Sequence, residues 1–238
     1  VLFRRQRQMC IRDSLTSLAI IIGTAAVIAV IGIGSSANKA LEASIDDLGG
    51  RTLYVQPGQN RRGAVTKGFI PLDIKDAYAL EKSKLHDWKI SPTIRKNRQI
   101  KYKNANINER VGAYLPIHFE VRGYDLEFGR LFNEEENLGR KRVAVIGSAV
   151  PRALGSNASM ILNKEILVAG TSYKVVGILK EEGSTGWQNP DEEIYSPLLT
   201  GAQRLFGTPH VDSINVGITN DTNVDEVMMS IEQILRAK

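Results

Sequence analysis

The hydrophobic pattern divides the chain unevenly. No residue from Ser14 to Asn38 is charged, and Leu15 to Ala37 is filled by Ile, Val, Ala and Leu with a few Gly, Ser and Thr. As a helix rising about 1.5 Å per residue, this run crosses the roughly 30 Å core of a bilayer. The rest of the chain holds no second run of this kind and reads as a water-soluble body. Asn38 to Leu48 continues as a helix with Ala40, Leu41, Ile45 and Leu48 on one side, stopped by Gly49-Gly50. Thr52 to Gln56 predicts a strand and Gln59 to Gly68 a polar loop. Asp73 N-caps a helix running to about Leu85, with Ile74, Ala77, Tyr78 and Leu85 as its apolar face. Trp88–Thr93 and Arg98–Lys103 read as a pair of strands.

Beyond Tyr114 the texture changes. Gly123–Phe132 reads as irregular connection and Glu134–Glu136 as a solvated turn. Arg142–Gly147 is a buried strand, followed by a brief helix over Ser148–Leu154. Lys164–Ala169 and Ser172–Leu179 flank a turn and predict a hairpin. Glu181–Asn189 is a loop holding Trp187, Glu193–Leu199 is extended, and Ala202–Phe206 is a helical turn. Val211–Ile218 alternates, with Ile214, Val216 and Ile218 on one face. Thr222 and Asp225 suggest a capping box for the last helix. Its face is Val224, Val227, Met228, Ile231, Ile234 and Leu235, the clearest amphipathic stripe in the chain. That pattern is still running at Lys238, so the C-terminus reads as truncated, or as a helix heading elsewhere, such as back to the membrane.

Charge orients the apolar run. Of the formal +5, Arg4, Arg5, Arg7 and Arg12 precede it, and the segment after it carries Lys39 and Arg51 against Glu42, Asp46 and Asp47. The positive-inside rule then puts the N-terminus in the cytoplasm and the body outside. The same distribution argues against nucleic acid as a partner, since the body is nearly balanced. Val1 to Ser14 reads as a basic cytoplasmic flank; QMCIRDS within it resembles stray translated adapter sequence, in which case the flank is not native. A cleaved signal peptide ending at Ser35-Ser36-Ala37 is the rival reading, but its apolar core would be unusually long. Within the run, Ala19/Gly23 and Ala25/Ala29 are small pairs four apart, candidate contacts for a neighbouring helix.

Catalytic chemistry is sparse. The lone cysteine, Cys10, excludes disulfides and Cys-rich zinc sites. His86, His118 and His210 lack ligand spacing and read as surface or half-buried residues. No Walker A loop, GxSxG, SxxK or HExxH occurs. The acidic runs Glu134–Glu136 and Asp191–Glu193 read as solvated. Arg95–Lys103, several cations around Tyr102, could take an anionic lipid or acidic glycan but reads first as a basic solvent face. No catalytic residue, metal site or cofactor is expected.

The segment LTSLAIIIGTAAVIAVIGIGSSANKALEASIDDLGGRTLYVQPG resembles the opening of MacB/FtsX-type ABC transporter permeases. Leu15-Thr16, Ile20–Gly23, Ala25–Ile28, Leu48-Gly49, Leu53, Val55 and Pro57-Gly58 carry the likeness; Ala19 and Arg51 depart from the family's usual Gly and Asn. Phe119–Phe132, Arg142–Gly147, Tyr173–Leu179, Gln203–Gly207 and Val211–Val216 extend it. The resemblance implies an α+β fold: one transmembrane helix, 15–37, then an exported MacB-like core domain. A βαβ-containing membrane-proximal subdomain, 38–114 and 209–238, would be interrupted by a mainly β lobe, 115–208. It implies a non-enzymatic bacterial inner-membrane or plasma-membrane subunit that transmits ATP-driven motion. Its partners would be an ABC ATPase, a second permease copy and an extracytoplasmic partner such as a periplasmic adaptor. The two helices at 38–48 and 224–236 would form a stalk with the anchor. The rivals are a ligand-binding protein behind a signal peptide or anchor, and an anchored enzyme.

Overall fold

The computed structural model describes residues 17–36, 51–58, 71–83, 88–184, 189–218 and 223–236. The expected helix 38–48, the loop 59–68, Leu85, His86, Trp187, Thr222 and the flank 1–14 lie outside the described residues. Two units are distinct, Val1–Asp47 and Leu48–Lys238. Among its described residues the first holds a helix, α1 (Ser17–Ser36), long and apolar enough to cross a membrane. Its polar side chains are satisfied within the helix: Thr24 Oγ1 donates to the Ile20 carbonyl and Ser35 Oγ to that of Gly32, each at 3.0 Å.

The second unit is a mixed α+β body. Among its described residues nine strands form one sheet. At one end lie β1 (Arg51–Val55), β11 (Ser213–Ile218) and β3 (Lys89–Tyr102), each antiparallel to the next, so β1 and β3 run the same way. Helix α2 (Ile74–Lys82) makes the crossover between them, a βαβ unit split by β11. A short pair, β2 (Leu72–Asp73) with β10 (His210–Val211), closes its flank. The last helix, α8 (Val224–Arg236), packs with α2. Ile74, Ala77 and Leu80 of α2, Ile90 and Ile94 of β3, Ile214 and Val216 of β11, and Val227 and Ile231 of α8 make the first core. The α2 face departs from expectation: Leu80 is buried where Tyr78 is exposed, and the helix ends at Lys82.

The remaining strands make a small barrel. β3 pairs with β4 (Ala105–Tyr114), β4 with β9 (Ile194–Pro197), and β9 with β6 (Val143–Ile146). β6 pairs with β8 (Thr171–Leu179), β8 with β7 (Glu165–Val168), and β7 returns to β3 through Ile100↔Val168. The ring of pairings closes, which leaves no free edge around it. Alternation then sorts the side chains. Ile100, Tyr102, Val111, Ala144, Ile146, Ile166, Val168, Tyr173, Val175 and Ile194 fill the interior as the second core. A third core, Tyr114, Phe119, Phe132, Val145, Val176 and Tyr195 among its members, sits on the outer wall under α3 (Ile117–Arg122).

Several elements differ from the sequence reading. The two strands expected at 88–103 are one strand, Lys89–Tyr102, because hairpin pairing with β4 runs unbroken from Thr93 to Tyr102. Part of the stretch read as irregular, Leu126–Gly129, is strand β5 on the edge of β8. The triplet Glu134–Glu136 opens a helix, α4 (Glu134–Leu138), capped by Asn133, whose side chain accepts from the Glu136 amide at 2.9 Å. Three single turns follow along the chain, α5 (Val150–Ala153), α6 (Ala158–Ile161) and α7 (Leu198–Gly201). Asn223 caps α8, accepting from the Asp225 amide at 3.1 Å.

Candidate functional site

The conspicuous polar cluster of the body lies where the split βαβ unit runs into the barrel. β3 and β4 belong to both parts, and β9 and α3 pack beside them. On the outer face of these strands Arg95 Nε donates to Tyr114 Oη at 2.6 Å, and Tyr114 Oη donates to Glu193 Oε1. Arg95 Nε also lies 3.4 Å from Glu193 Oε1. The Arg95 backbone amide donates to Asp212 Oδ2 at 2.7 Å, tying β3 to the turn before β11. His118 stacks on Tyr114, with Nδ1 hydrogen-bonded to Ser91 Oγ at 2.8 Å. Its Nε2 is buried and without a partner among the described residues. Arg122 reaches Tyr54 on β1 and lies over the ring of Tyr124.

The electrostatics follow from burial. Burial pushes the Glu193 carboxyl above its usual range, while Arg95 and the Tyr114 hydroxyl pull the other way. Burial also works against the Arg95 charge, but Tyr114 and Glu193 outweigh it and hold the guanidinium protonated. Burial, then Glu193, pushes the Tyr114 phenol up. His118 is pushed well below the ordinary imidazole value by burial, then by Arg95 and Arg122. Here Glu193 and Asp191, read from sequence as part of a solvated run, are both buried. Asp191 accepts backbone amides from Glu182 at 3.1 Å and Gly183 at 2.9 Å. Arg95, read as part of a basic solvent face, is largely enclosed; His118, read as surface or half-buried, is fully enclosed. Glu193 stands far along the chain from Arg95 and Tyr114, and the pairing of β4 with β9 brings it to them.

The cluster forms a joint between β3, β4 and β9. No group of His, Cys, Asp or Glu able to hold a metal occurs among the described residues. A glycine shows how tightly it is built. A Cβ on Gly112 would fall on the Tyr114 ring, which lies flat over that position. His210 pairs with Asp73 across β10 and β2.

The residues singled out in the sequence do not meet in one place. Ala19, Gly23, Ala25 and Ala29 lie exposed along α1, and a Cβ on Gly23 would meet nothing within 4 Å. On α8, Val227 and Ile231 are buried in the first core, and Val224, Ile234 and Leu235 are half-buried against it. Met228 is 49% exposed. A groove of about 690 Å³ runs between β1 and α8, lined by Leu53, Val55, Leu72, Met228, Ile231 and Leu235 among others.

Comparison with known proteins agrees with the fold. Residues 14–234 match the family described as the MacB-like periplasmic core domain. The chain is 32% identical over 231 residues to the macrolide export ATP-binding/permease protein MacB of Bdellovibrio bacteriovorus, covering 96% of this chain and 35% of that protein. It is 26% identical to the protein of the same name from Chlorobaculum tepidum, again over 35% of its length. The chain thus spans about a third of these relatives. Among solved structures, the periplasmic region of MacB from Actinobacillus actinomycetemcomitans superposes with a TM-score of 0.65 at 21% identity, covering 81% of this chain and 86% of that one. The extracellular domain of the noncanonic ABC-type transporter YknZ from Gram-positive bacteria gives 0.61 at 19% identity, covering 75% and 88%. With the family match spanning nearly the whole chain and the split βαβ unit and barrel in place, the chain belongs to the MacB-like periplasmic core domain family of ABC transporter permeases.

Proposed function

We propose that this chain is the first membrane helix and the exported domain of a permease subunit, and that the domain transmits ATP-driven motion to an extracytoplasmic partner. In this reading α1 anchors the chain in a bacterial inner or plasma membrane with its N-terminus in the cytoplasm. Residues 38–114 and 209–238 form a membrane-proximal subdomain, and 115–208 the lobe. An ABC ATPase supplies the work, a second permease copy completes the dimer, and an adaptor or other exported partner receives the movement. Ala19, Gly23, Ala25 and Ala29 pack α1 against neighbouring membrane helices. The stripe Val224, Val227, Met228, Ile231, Ile234 and Leu235 couples the stalk to the domain, two of its residues reaching into the first core.

The observation that carries the reading is the joint. A domain that passes force needs its membrane-side part and its far lobe to move as one. β3 and β4 run through both, and the Arg95–Tyr114–Glu193 cluster pins them to β9. A buried hydrogen-bonded network of this kind favours one arrangement of the elements around it.

Fractionation tests the arrangement. The chain should stay uncleaved in carbonate-washed membranes, and its body should be digested by protease added to spheroplasts or protoplasts, in which the cytoplasmic membrane is intact and exposed. A mature chain released into the soluble exported fraction would instead indicate a signal-peptide-bearing binding protein.

A further inference from the structure

The outer wall of the barrel has an uncovered stretch. On β3 and β4 the register places Asn97 opposite Arg110, Gln99 opposite Asn108 and Lys101 opposite Asn106. These six share one face, since Ile100 and Ile107, directly paired between them, point inward to the second core. Five of the six are exposed and Arg110 is half-buried. Beyond β3, Lys101 stands opposite Leu167, Leu167 opposite Ser172, and Glu165 opposite Lys174. The face therefore continues across four strands.

Its composition is unusual for a strand surface. Asn is disfavoured in strands on a scale spanning about 1 kcal/mol, and β-branched residues are the ordinary choice. Here four carboxamides and two cations occupy all six positions of the hairpin face, with no Thr and no carboxylate among them. Among the described residues none hydrogen-bonds the side chains of Asn97, Gln99, Asn106 or Asn108. A wall selected only for solubility mixes both signs of charge. Glu165, the one acid on the extended face, is engaged by Ser172 Oγ at 2.6 Å. Lys101, Arg110 and Lys174 outnumber that acid, so the extended face stays basic.

We infer that this wall binds an acidic polysaccharide. Each carboxamide offers a donor pair and an acceptor together, which matches neighbouring hydroxyls of a sugar ring. The cations match carboxylates spaced along the polymer, and Leu167, 43% exposed beside Lys101, offers a contact for the apolar side of a ring. The face lacks the aromatic and Met enrichment that marks protein interfaces, so charge and hydroxyl complementarity favour a glycan over a protein. The assignment takes from the proposed function only that the body is exported; binding itself does not depend on transport.

Calorimetric titration of the full chain in detergent micelles with oligogalacturonate tests it. Dextran oligomers carry the hydroxyls without the acid, and poly-L-glutamate the acid without the hydroxyls. Binding is expected for oligogalacturonate above both. Asn106→Ala with Asn108→Ala should weaken it at least about tenfold, the loss of two modest hydrogen bonds. Asn97→Ala with Gln99→Ala, on the neighbouring strand, should do the same and guards against a local folding defect in β4. Lys101→Gln should reduce its salt dependence. No binding of oligogalacturonate overturns the inference. So does equal binding of poly-L-glutamate, which would mean charge alone or an acidic polypeptide, equal binding of dextran, or affinity unchanged in both amide variants.

Discussion

The imidazole of His118 lies on the ring of Tyr114, centroids 4.1 Å apart and planes 25° from parallel. That contact joins α3 to β4 at the point where the two halves of the body meet. It is built for a neutral histidine: Tyr114, Phe119, Tyr124 and Tyr195 surround the ring, Ser91 bonds Nδ1, and the charges facing it are Arg95 and Arg122.

Acid should therefore loosen the domain. The folded-state value of His118 is pushed below its unfolded value near 6.5, so the stabilisation is fully present above that pH. As pH falls below about 6.5 the unfolded chain takes up a proton that the folded chain refuses, and stability declines. Urea midpoints measured from pH 7.5 down to 5 should fall for the wild type relative to His118→Gln, the raised Glu193 carboxyl, common to both, working the other way. His118→Gln should flatten that part of the profile while lowering the whole curve.

Breaking the ion pair from one side should cost more than removing it. Glu193→Leu leaves the Arg95 guanidinium in a largely enclosed site and should destabilise by about 3 kcal/mol. Arg95→Met should act similarly on Glu193. The double variant should lose less than the sum of the two, a coupling read directly from a double-mutant cycle of unfolding free energies.

Gly112 should be intolerant of any side chain. Gly112→Ala must expel the Tyr114 ring and with it the bonds to Arg95 and Glu193, a loss of about 2–4 kcal/mol. Gly58→Ala, where an added Cβ meets nothing within 4 Å, should be close to neutral by the same thermal-melt comparison.

On α8 the cost should follow burial rather than hydrophobicity. Ile231→Ala removes a side chain 5% exposed and should cost about 2–4 kcal/mol. Met228→Ala, equally apolar in the sequence stripe, should change the melting temperature little, since it lines the groove beside β1 rather than the core.

Which parts of this were legible in the sequence has a physical pattern. α8, the β7–β8 hairpin and β11 announce themselves by periodicity, because each buries one face or stripe of its own, and α1 and β6 by unbroken apolar runs. β4 stayed hidden because its outer face is Asn106, Asn108 and Arg110, residues that strands avoid. β3 looked broken because Pro92 and a run of cations interrupt it. The joint was invisible for another reason. Glu193 sits in an acidic run that looks solvated, and only the parallel pairing of Val111 with Ile194 sets it beside Arg95 and Tyr114. Barrel closure likewise rests on one short pairing, Ile100 with Val168, which no local pattern encodes.

The central claim is that the domain moves as one body when the ATPase acts. Pulsed electron-electron distances test it in the full-length permease reconstituted with its ATPase, with Cys10 replaced by Ser. Labels at the exposed positions Leu138→Cys and Met229→Cys report within one domain and across two copies. The distances within a copy should hold while those between copies shift by several ångströms, on the scale of domain motion, when ATP is bound. Unchanged distances between copies in the two nucleotide states, or a change confined to the distance within a copy, would contradict it.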